Sequence, residues 1–510
     1  MQTNKDGELK QFKQFGLFSL GLLLLASSLT AQSFEDFKRV QENSFSEYRD
    51  ARDKEFGNYL KAQWEEFTSK KPTPLYEKPK PKAITPTVQK KIEKIGPRVR
   101  VVVPKKEIIT TKPLVKEIKK VVLIRPVNKP KPAQKQQVKV VVVQEKVKDV
   151  NLLYFGQSVG VNIDNKFKEM KFYPQNQNGI SNAFSTLASS DYEDTISDIK
   201  AIQKDLNLND WGVYVLVNMI SNSLFETPDE QKLFSWFIFN KLGYAIKVGL
   251  AGKHIVVMHY SHRMIYDTPY YTFKNKRFFL ISRYAKGSAG RVYTYKQDYP
   301  QANKPLDLSL KTLPNFEKNL HSKTLTFKEF GKKYTTSFKY DKNLIDFMAT
   351  YPQADYDTYF NAPMDKELYD QIAQDLKPYL DGKKASVAIN FVLHFVQKAF
   401  KYERDNAQFG REKVMFSTET LYYDKSDCED RTILFAYLVK KLFNISVVGV
   451  QYSDHMSTAL YIPMRGDSVK VERRKFVIAD PTYINANIGM SMPKYKSKIP
   501  ESFIMVRKDK

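Results

Sequence analysis

At 510 residues, 13% of them aromatic, the chain is long enough to bury two domain cores or one large one. Its formal charge of +26 comes from 82 Lys and Arg against 56 Asp and Glu, a balance that favours anionic partners. A single cysteine excludes an intrachain disulfide framework.

Residues 1–31 read as an export signal. Lys5, Lys10 and Lys13 precede an apolar stretch from Phe15 to Leu25, and small residues follow up to Ala31. The apolar core is too short to span a bilayer comfortably, and no cysteine follows it to accept a lipid. The expected product is therefore cleaved near Ala31 and exported, to a periplasm or an equivalent compartment. Retention as an uncleaved anchor is the alternative, because Leu29 is an imperfect residue two positions before the cleavage point.

Residues 32–70 carry an eleven-residue repeat, with Phe34, Phe45, Phe56 and Phe67 at one phase and Phe37, Tyr48 and Tyr59 three residues later. Eleven residues make about three helical turns, so the pattern predicts one helix with an aromatic stripe. Such a stripe suits docking on an envelope partner, on the rest of this chain or at a membrane surface.

Residues 71–149 change to Lys, Val and Pro, with eleven prolines from Pro72 to Pro132. Between Lys71 and Lys148 there are 22 Lys and Arg against five Glu, so most of the chain's net charge sits here. Proline stiffening and charge repulsion predict a stretched, disordered spacer able to touch anionic envelope polymers. Nucleic acid is not an expected partner, since no aromatic-basic interleaving accompanies the charge.

Two helix-then-strand blocks follow, giving an α+β expectation. The first occupies residues 150–282, a β-rich connector with alternating Tyr, Phe and Thr occupies 283–363, and the second block occupies 364–510. In the second, Val387–Tyr402 and Cys428–Phe443 have helical apolar spacing, the latter capped by Ser426 or Asp427. Strands are expected at Val447–Tyr452, Met456–Pro463 and Lys475–Ala479.

The lone cysteine, Cys428, falls in Ser426-Asp427-Cys428-Glu429-Asp430-Arg431, at the first turn of a helix. A free cysteine is most often a small buried hydrophobe. An unpaired one in an exported chain is also a candidate nucleophile. A hairpin centred between Asp467 and Ser468 would set His455 opposite Asp480, close enough for the carboxylate to hold the imidazole by one nitrogen. The helix N-terminus favours thiolate at Cys428, whereas Asp427, Glu429 and Asp430 oppose it.

Over roughly residues 387–490 these residues resemble the transglutaminase-like superfamily of papain-type cysteine enzymes. The pieces are FVQKAFKYERD, Glu419-Thr420-Leu421, SDCED opening a helix, DHMSTALYI, and IADPTY followed by Ile488-Gly489. The resemblance implies a transglutaminase-like catalytic domain over 364–510, with Cys428 as nucleophile, His455 as general base and acid, and Asp480 as its orienting carboxylate. It implies an oxyanion site made by the Cys428 backbone N–H and a side chain, for which Gln397 is the candidate. Ser426 stands where the family commonly has glycine. In one periplasmic branch, acidic residues beside the cysteine bind calcium, and Asp427 and Glu429 occupy similar positions; otherwise no cofactor is implied. The implied reaction is acyl transfer from a protein or peptide amide through a thioester, with water as acceptor in a peptidase or amidase and an amine in a crosslinking enzyme. A non-catalytic envelope scaffold that keeps the fold is the reading from a different class.

The first block looks like a degenerate copy, since FSWFIFNKLGYAIKVGL echoes LFAYLVKKLFNISVVGV. The match puts Pro228 at the cysteine position, His254 at the histidine and Ser282 at the aspartate, so this copy could not form a thiolate. His254, His259 and His262 have no acidic or cysteine companion at ligand spacing, so no zinc site is expected.

Overall fold

The computed structural model describes residues 34–62, 64–75, 80–86, 91–103, 148–281, 290–329 and 331–507. The export signal expected over 1–31, the centre of the basic segment and Ser282 lie outside the described residues. Two compact units divide the chain after Tyr59.

The first unit is carried by the helix Phe34–Leu60, onto which the aromatic stripe falls. Phe37, Phe45 and Tyr48 are exposed and Phe56 is buried. The expected helix stops short of Phe67, the repeat's last aromatic. Glu65–Thr68 is instead a strand in the second unit, paired antiparallel with Arg291–Thr294, and Phe67 packs its ring against Phe273 at 4.6 Å. The open edge of a sheet supplies backbone partners that outweigh the helical phase of the sequence.

The second unit contains two antiparallel sheets of the same topology. One runs in the spatial order Tyr270–Phe273, Lys276–Phe279, His254–Tyr260, Ile246–Ala251, Arg291–Thr294, with Glu65–Thr68 at its edge. The other runs Ser468–Val471, Arg474–Ala479, His455–Leu460, Val447–Tyr452, Ser502–Met505. Ranked by chain position, the five shared places coincide. Each sheet is entered from a helix, Pro228–Lys241 in one case and Cys428–Phe443 in the other, packed on an earlier helix, Asp210–Leu224 or Ala385–Lys398. The Cys428 helix is buried at every position from Cys428 to Lys440, so it forms the centre of its half. Val448, Val450, Ala459, Phe476 and Ile478 of that half's sheet pack in one cluster with Tyr452, Tyr483 and Tyr495. Helices beside antiparallel sheets make the α+β class expected from the sequence.

The expected β-rich connector over 283–363 is not a separate sheet domain. Arg291–Thr294 joins the first sheet, and among the described residues of the span only Leu320–Glu329 and Lys332–Asp341 form a hairpin of their own. That hairpin is held to the helix Lys366–Leu380 through Asp375, which accepts from Thr336 Oγ1 at 3.0 Å and from Ser337 N at 2.9 Å.

The expected spacer over 71–149 is likewise corrected where it is described. Leu75, Lys80 and Val101 are buried. Val99 N donates to Lys383 O at 2.8 Å, Ala385 N to Pro97 O at 2.8 Å, and Ile484 N to Ile84 O at 2.7 Å. Amides and carbonyls of this extended segment both bond to the folded body, and proline, which lacks the donor, still offers its carbonyl. Among the described residues no helix is long and apolar enough to cross a membrane.

Candidate functional site

The Cys428 helix begins at Asp427, whose N–H donates to Asp430 Oδ2 at 3.2 Å, while Asp430 Oδ1 accepts from Met415 N at 2.9 Å. A carboxylate reaching back over the first turn satisfies amide groups that the helix itself cannot. Arg431, 1% exposed, clamps that turn from below. Its guanidinium donates to Ser426 Oγ at 3.1 Å, to Gln397 O at 3.1 Å and to Phe400 O at 2.8 Å. Thr432 Oγ1 lies 2.7 Å from Cys428 O and 3.2 Å from Met456 O, which ties the cysteine's turn to the residue after His455.

His455 opens the strand His455–Leu460, opposite Tyr452 on the neighbouring strand. Asp480 follows the strand Arg474–Ala479, and His455 Nε2 and Asp480 Oδ2 are 2.9 Å apart. Asp480 Oδ1 accepts from Thr482 N at 2.9 Å, so both carboxylate oxygens are held. With Nε2 donating to the carboxylate, Nδ1 keeps its lone pair, and this buried nitrogen has no hydrogen-bond partner among the described residues. The Tyr495 ring stacks on the imidazole with centroids 4.6 Å apart. Cys428, His455 and Asp480 are 0%, 0% and 2% exposed, so the site is covered.

The expected hairpin differs in detail. Thr458 pairs with Ala479 and Leu460 with Val477, a shift of two residues from the register that would oppose His455 to Asp480. The turn expected at Arg465–Ser468 is followed by an extra strand, Ser468–Val471, and the tight turn lies at Glu472 and Arg473, both with positive φ. Gly466 (φ +145°) approaches Gly489 so closely that a Cβ on it would lie 2.5 Å from the Gly489 Cα. An even shift leaves every side chain on its face, so the His455–Asp480 pair survives as a diagonal contact.

The thiol is not poised as a thiolate in this arrangement. Its Sγ donates to Glu429 Oε2 at 3.1 Å. Burial pushes the Cys428 thiol well above its ordinary range, the Glu429 and Asp427 charges push it further, and Lys80 offsets them in part. The pull of the helix N-terminus is outweighed.

Lys80 is the residue that sequence reasoning missed. Its ammonium lies 2.7 Å from Asp427 Oδ2, 2.7 Å from Glu412 Oε2 and 3.1 Å from Asp405 Oδ2, and it also bonds Glu429 Oε1. Burial raises Asp405 to about 7, Asp427 adds to the rise and Lys80 opposes it; burial likewise raises Glu429 to about 7 against the pull of Lys80. The carboxylates suit a hard, oxygen-seeking cation such as the calcium expected at Asp427 and Glu429, and the groups with ligand atoms close together include Asp405, Glu412 and Glu429. Here the Lys80 ammonium supplies that positive charge. In the tract Lys78-Pro79-Lys80-Pro81-Lys82 nothing in composition separates Lys80 from its neighbours.

Gln397 does not serve the oxyanion role expected of it. Its Nε2 donates to Asp480 O at 2.9 Å and to Ala486 O at 3.1 Å, and its Oε1 accepts from Asn485 N at 2.9 Å. The amide is spent on anchoring the loop after Asp480. His394 adds a second anchor, with Nε2 3.3 Å from Ala486 O and Nδ1 2.7 Å from Glu329 Oε1.

In the first block Pro228 opens its helix, capped by Thr227 Oγ1, which accepts from Glu230 N at 3.3 Å. His254 opens its strand as His455 does, but its side chain is 79% exposed and Nδ1 lies 3.2 Å from Asp229 Oδ2. His259 is buried, whereas His262 pairs with the Tyr260 hydroxyl at 2.8 Å. The metal-compatible clusters among the described residues all lie around Cys428 and include none of these three histidines.

Compared with known proteins, the chain matches no family model, no curated protein and no solved structure, so the functional argument rests on this arrangement of residues.

Proposed function

We propose that the chain is an exported transglutaminase-like cysteine enzyme that acts on amide bonds of envelope proteins or peptides through a thioester, as a peptidase or amidase. The observation that carries this reading is the buried His455–Asp480 pair, 2.9 Å apart, with an unpartnered Nδ1 on a strand tied to the turn bearing the one cysteine. In the reaction, His455 Nδ1 takes the thiol proton and Sγ attacks the amide carbonyl. The tetrahedral oxyanion falls to the N–H groups of the helix's first turn. As the C–N bond breaks, His455 returns the proton to the leaving amine, and the thioester remains on Cys428. Water, deprotonated by His455, then releases the acid; an amine in its place gives crosslinking.

The thiol must leave Glu429 for this cycle to begin, and the covered site must open. Those two features favour a second reading, a scaffold that keeps the fold and holds its cysteine inert. The sheet containing His254, which has proline at the cysteine position, is on either reading a non-catalytic copy that shapes the cleft or binds a partner. The test is to incubate the full chain with peptide amides bearing a thiol-reactive chloroacetyl or acyl group and to look by intact mass for an adduct on Cys428. An adduct lost in Cys428→Ala and slowed at least a hundredfold in His455→Ala supports the enzyme. Labelling that ignores His455, or occurs only in the unfolded chain, supports the scaffold.

A further inference from the structure

We propose that the carboxylates of Asp405, Glu412, Asp427 and Glu429 form a subsite for the lysine side chain of an extended peptide, and that residues 80–86 occupy it as an intramolecular pseudosubstrate. The inference rests on the enzyme reading above and names the substrate class of that same site. Four acidic side chains from three places in the sequence converge on one ammonium, whose side chain is 3% exposed. Asp427 Oδ1, fully buried, has no partner among the described residues, so the pocket holds more acceptor capacity than Lys80 uses. A compact ammonium donates to oxygens lying in several directions at once, whereas the donors of a guanidinium lie in one plane.

The backbone beside Lys80 is recognised too. Tyr402 donates its hydroxyl to Pro81 O, and Ile84 forms a parallel bridge with Tyr483, accepting from Ile484 N at 2.7 Å. The segment therefore reaches from the two acids flanking Cys428 to the loop that follows Asp480. Main-chain bonds of this kind are sequence-tolerant, while the side-chain pocket selects, which is how a sheet-like groove reads an extended peptide. Prolines at 81 and 86 keep the strap extended and lower the entropy lost on docking. A substrate with lysine at the matching position would displace the strap and take its contacts.

The test is a fluorescence-anisotropy titration of full-length Lys80→Gln with a labelled peptide of residues 75–86. Lys80→Gln leaves carboxylates without their cation, so the charge-neutral pair Lys80→Gln with Glu412→Gln is titrated beside it. The single variant is expected to bind the peptide at least tenfold more tightly than the native chain, whose own strap competes, and the double variant, short of one of the four carboxylates, to bind less tightly than the single variant but more tightly than the native chain. Glutamine at the position of Lys80 in the peptide is expected to weaken binding at least tenfold, and glutamine at Lys82 far less. Binding that ignores the lysine, or no binding by either folded variant, overturns the proposal. Uptake of calcium ions that the peptide cannot displace does so as well, and makes the cluster a metal site. Repeating the titration in Cys428→Ala separates the two readings. Peptide binding without any acyl-enzyme in the reactive chain counts against the enzyme alone, and acyl-enzyme without lysine-dependent binding counts against the subsite alone.

Discussion

His455 Nε2 sits 2.9 Å from Asp480 Oδ2, and the other oxygen of that carboxylate is fixed at 2.9 Å by the Thr482 amide. The pair sets the tautomer that leaves a lone pair on Nδ1. Asp480→Asn keeps an oxygen for the Thr482 amide and so keeps the loop, but its amide nitrogen can present N–H groups to the imidazole and favour the wrong tautomer. On the proposed cysteine-enzyme reading, acyl-enzyme formation at Cys428 is expected to slow by about 10³-fold while the melting temperature moves by only a few degrees. Single-turnover kinetics with a thermal melt of the same sample checks this, and an unaltered rate would remove Asp480 from the reaction.

Tyr495 supplies the second restraint on the imidazole, through a ring stacked at 4.6 Å and an interplanar angle of 30°. Tyr495→Phe keeps the stack and Tyr495→Ala removes it. If the ring positions His455, the Phe variant labels Cys428 within about threefold of the native rate and the Ala variant slows by about tenfold or more, the cost of a misplaced base. Equal losses in both variants would mean that the hydroxyl, not the stack, is what matters.

Much of the site was legible because chemistry-bearing residues sit where secondary structure changes. Cys428 opens a helix, His455 opens a strand and Asp480 follows one, and such positions are marked by caps and turn residues. The register around Arg465–Ser468 was not legible, since the extra strand Ser468–Val471 reads locally as part of the turn. The two-residue error did no harm because strand faces have period two. Gln397 could not be placed from sequence, since its partners lie on a loop 83 to 89 residues away. Lys80 was hidden for a different reason. A basic, proline-rich tract reads as solvated spacer by composition, and only the carboxylates 325 to 349 residues distant reveal that one of its lysines is buried.

Arg431 tests how the helix is seated. Its guanidinium satisfies Gln397 O, Phe400 O and Ser426 Oγ in a site with almost no solvent. Arg431→Met fills much of the volume but strands those acceptors, and a loss of about 3 kcal/mol of stability is expected. Arg431→Lys reaches fewer of them and should recover only part. Urea denaturation with unchanged slope and a lowered midpoint is the expected record; a loss under about 1 kcal/mol would show that water replaces the guanidinium there.

The other half of the molecule carries its own pH dependence through His259. Its imidazole packs between the Tyr214 and Phe239 rings at 5.1 and 5.0 Å, and Nδ1 is buried with no partner among the described residues. Burial holds its pKa down at about 3, against an ordinary value of 6.5. In the unfolded chain the imidazole takes up a proton below pH 6.5, whereas in the folded chain it stays neutral until about pH 3. Over that window the unfolded state binds more protons, so its contribution to stability is complete above pH 6.5 and falls as the pH drops, by up to about 1.4 kcal/mol per pH unit. His259→Phe removes the titration and keeps an aromatic ring in the gap. Folding free energy measured from pH 7 to pH 4 is therefore expected to fall less steeply in the variant than in the native chain. Parallel curves would place the acid sensitivity elsewhere, with the buried carboxyl cluster around Lys80 the next group to examine.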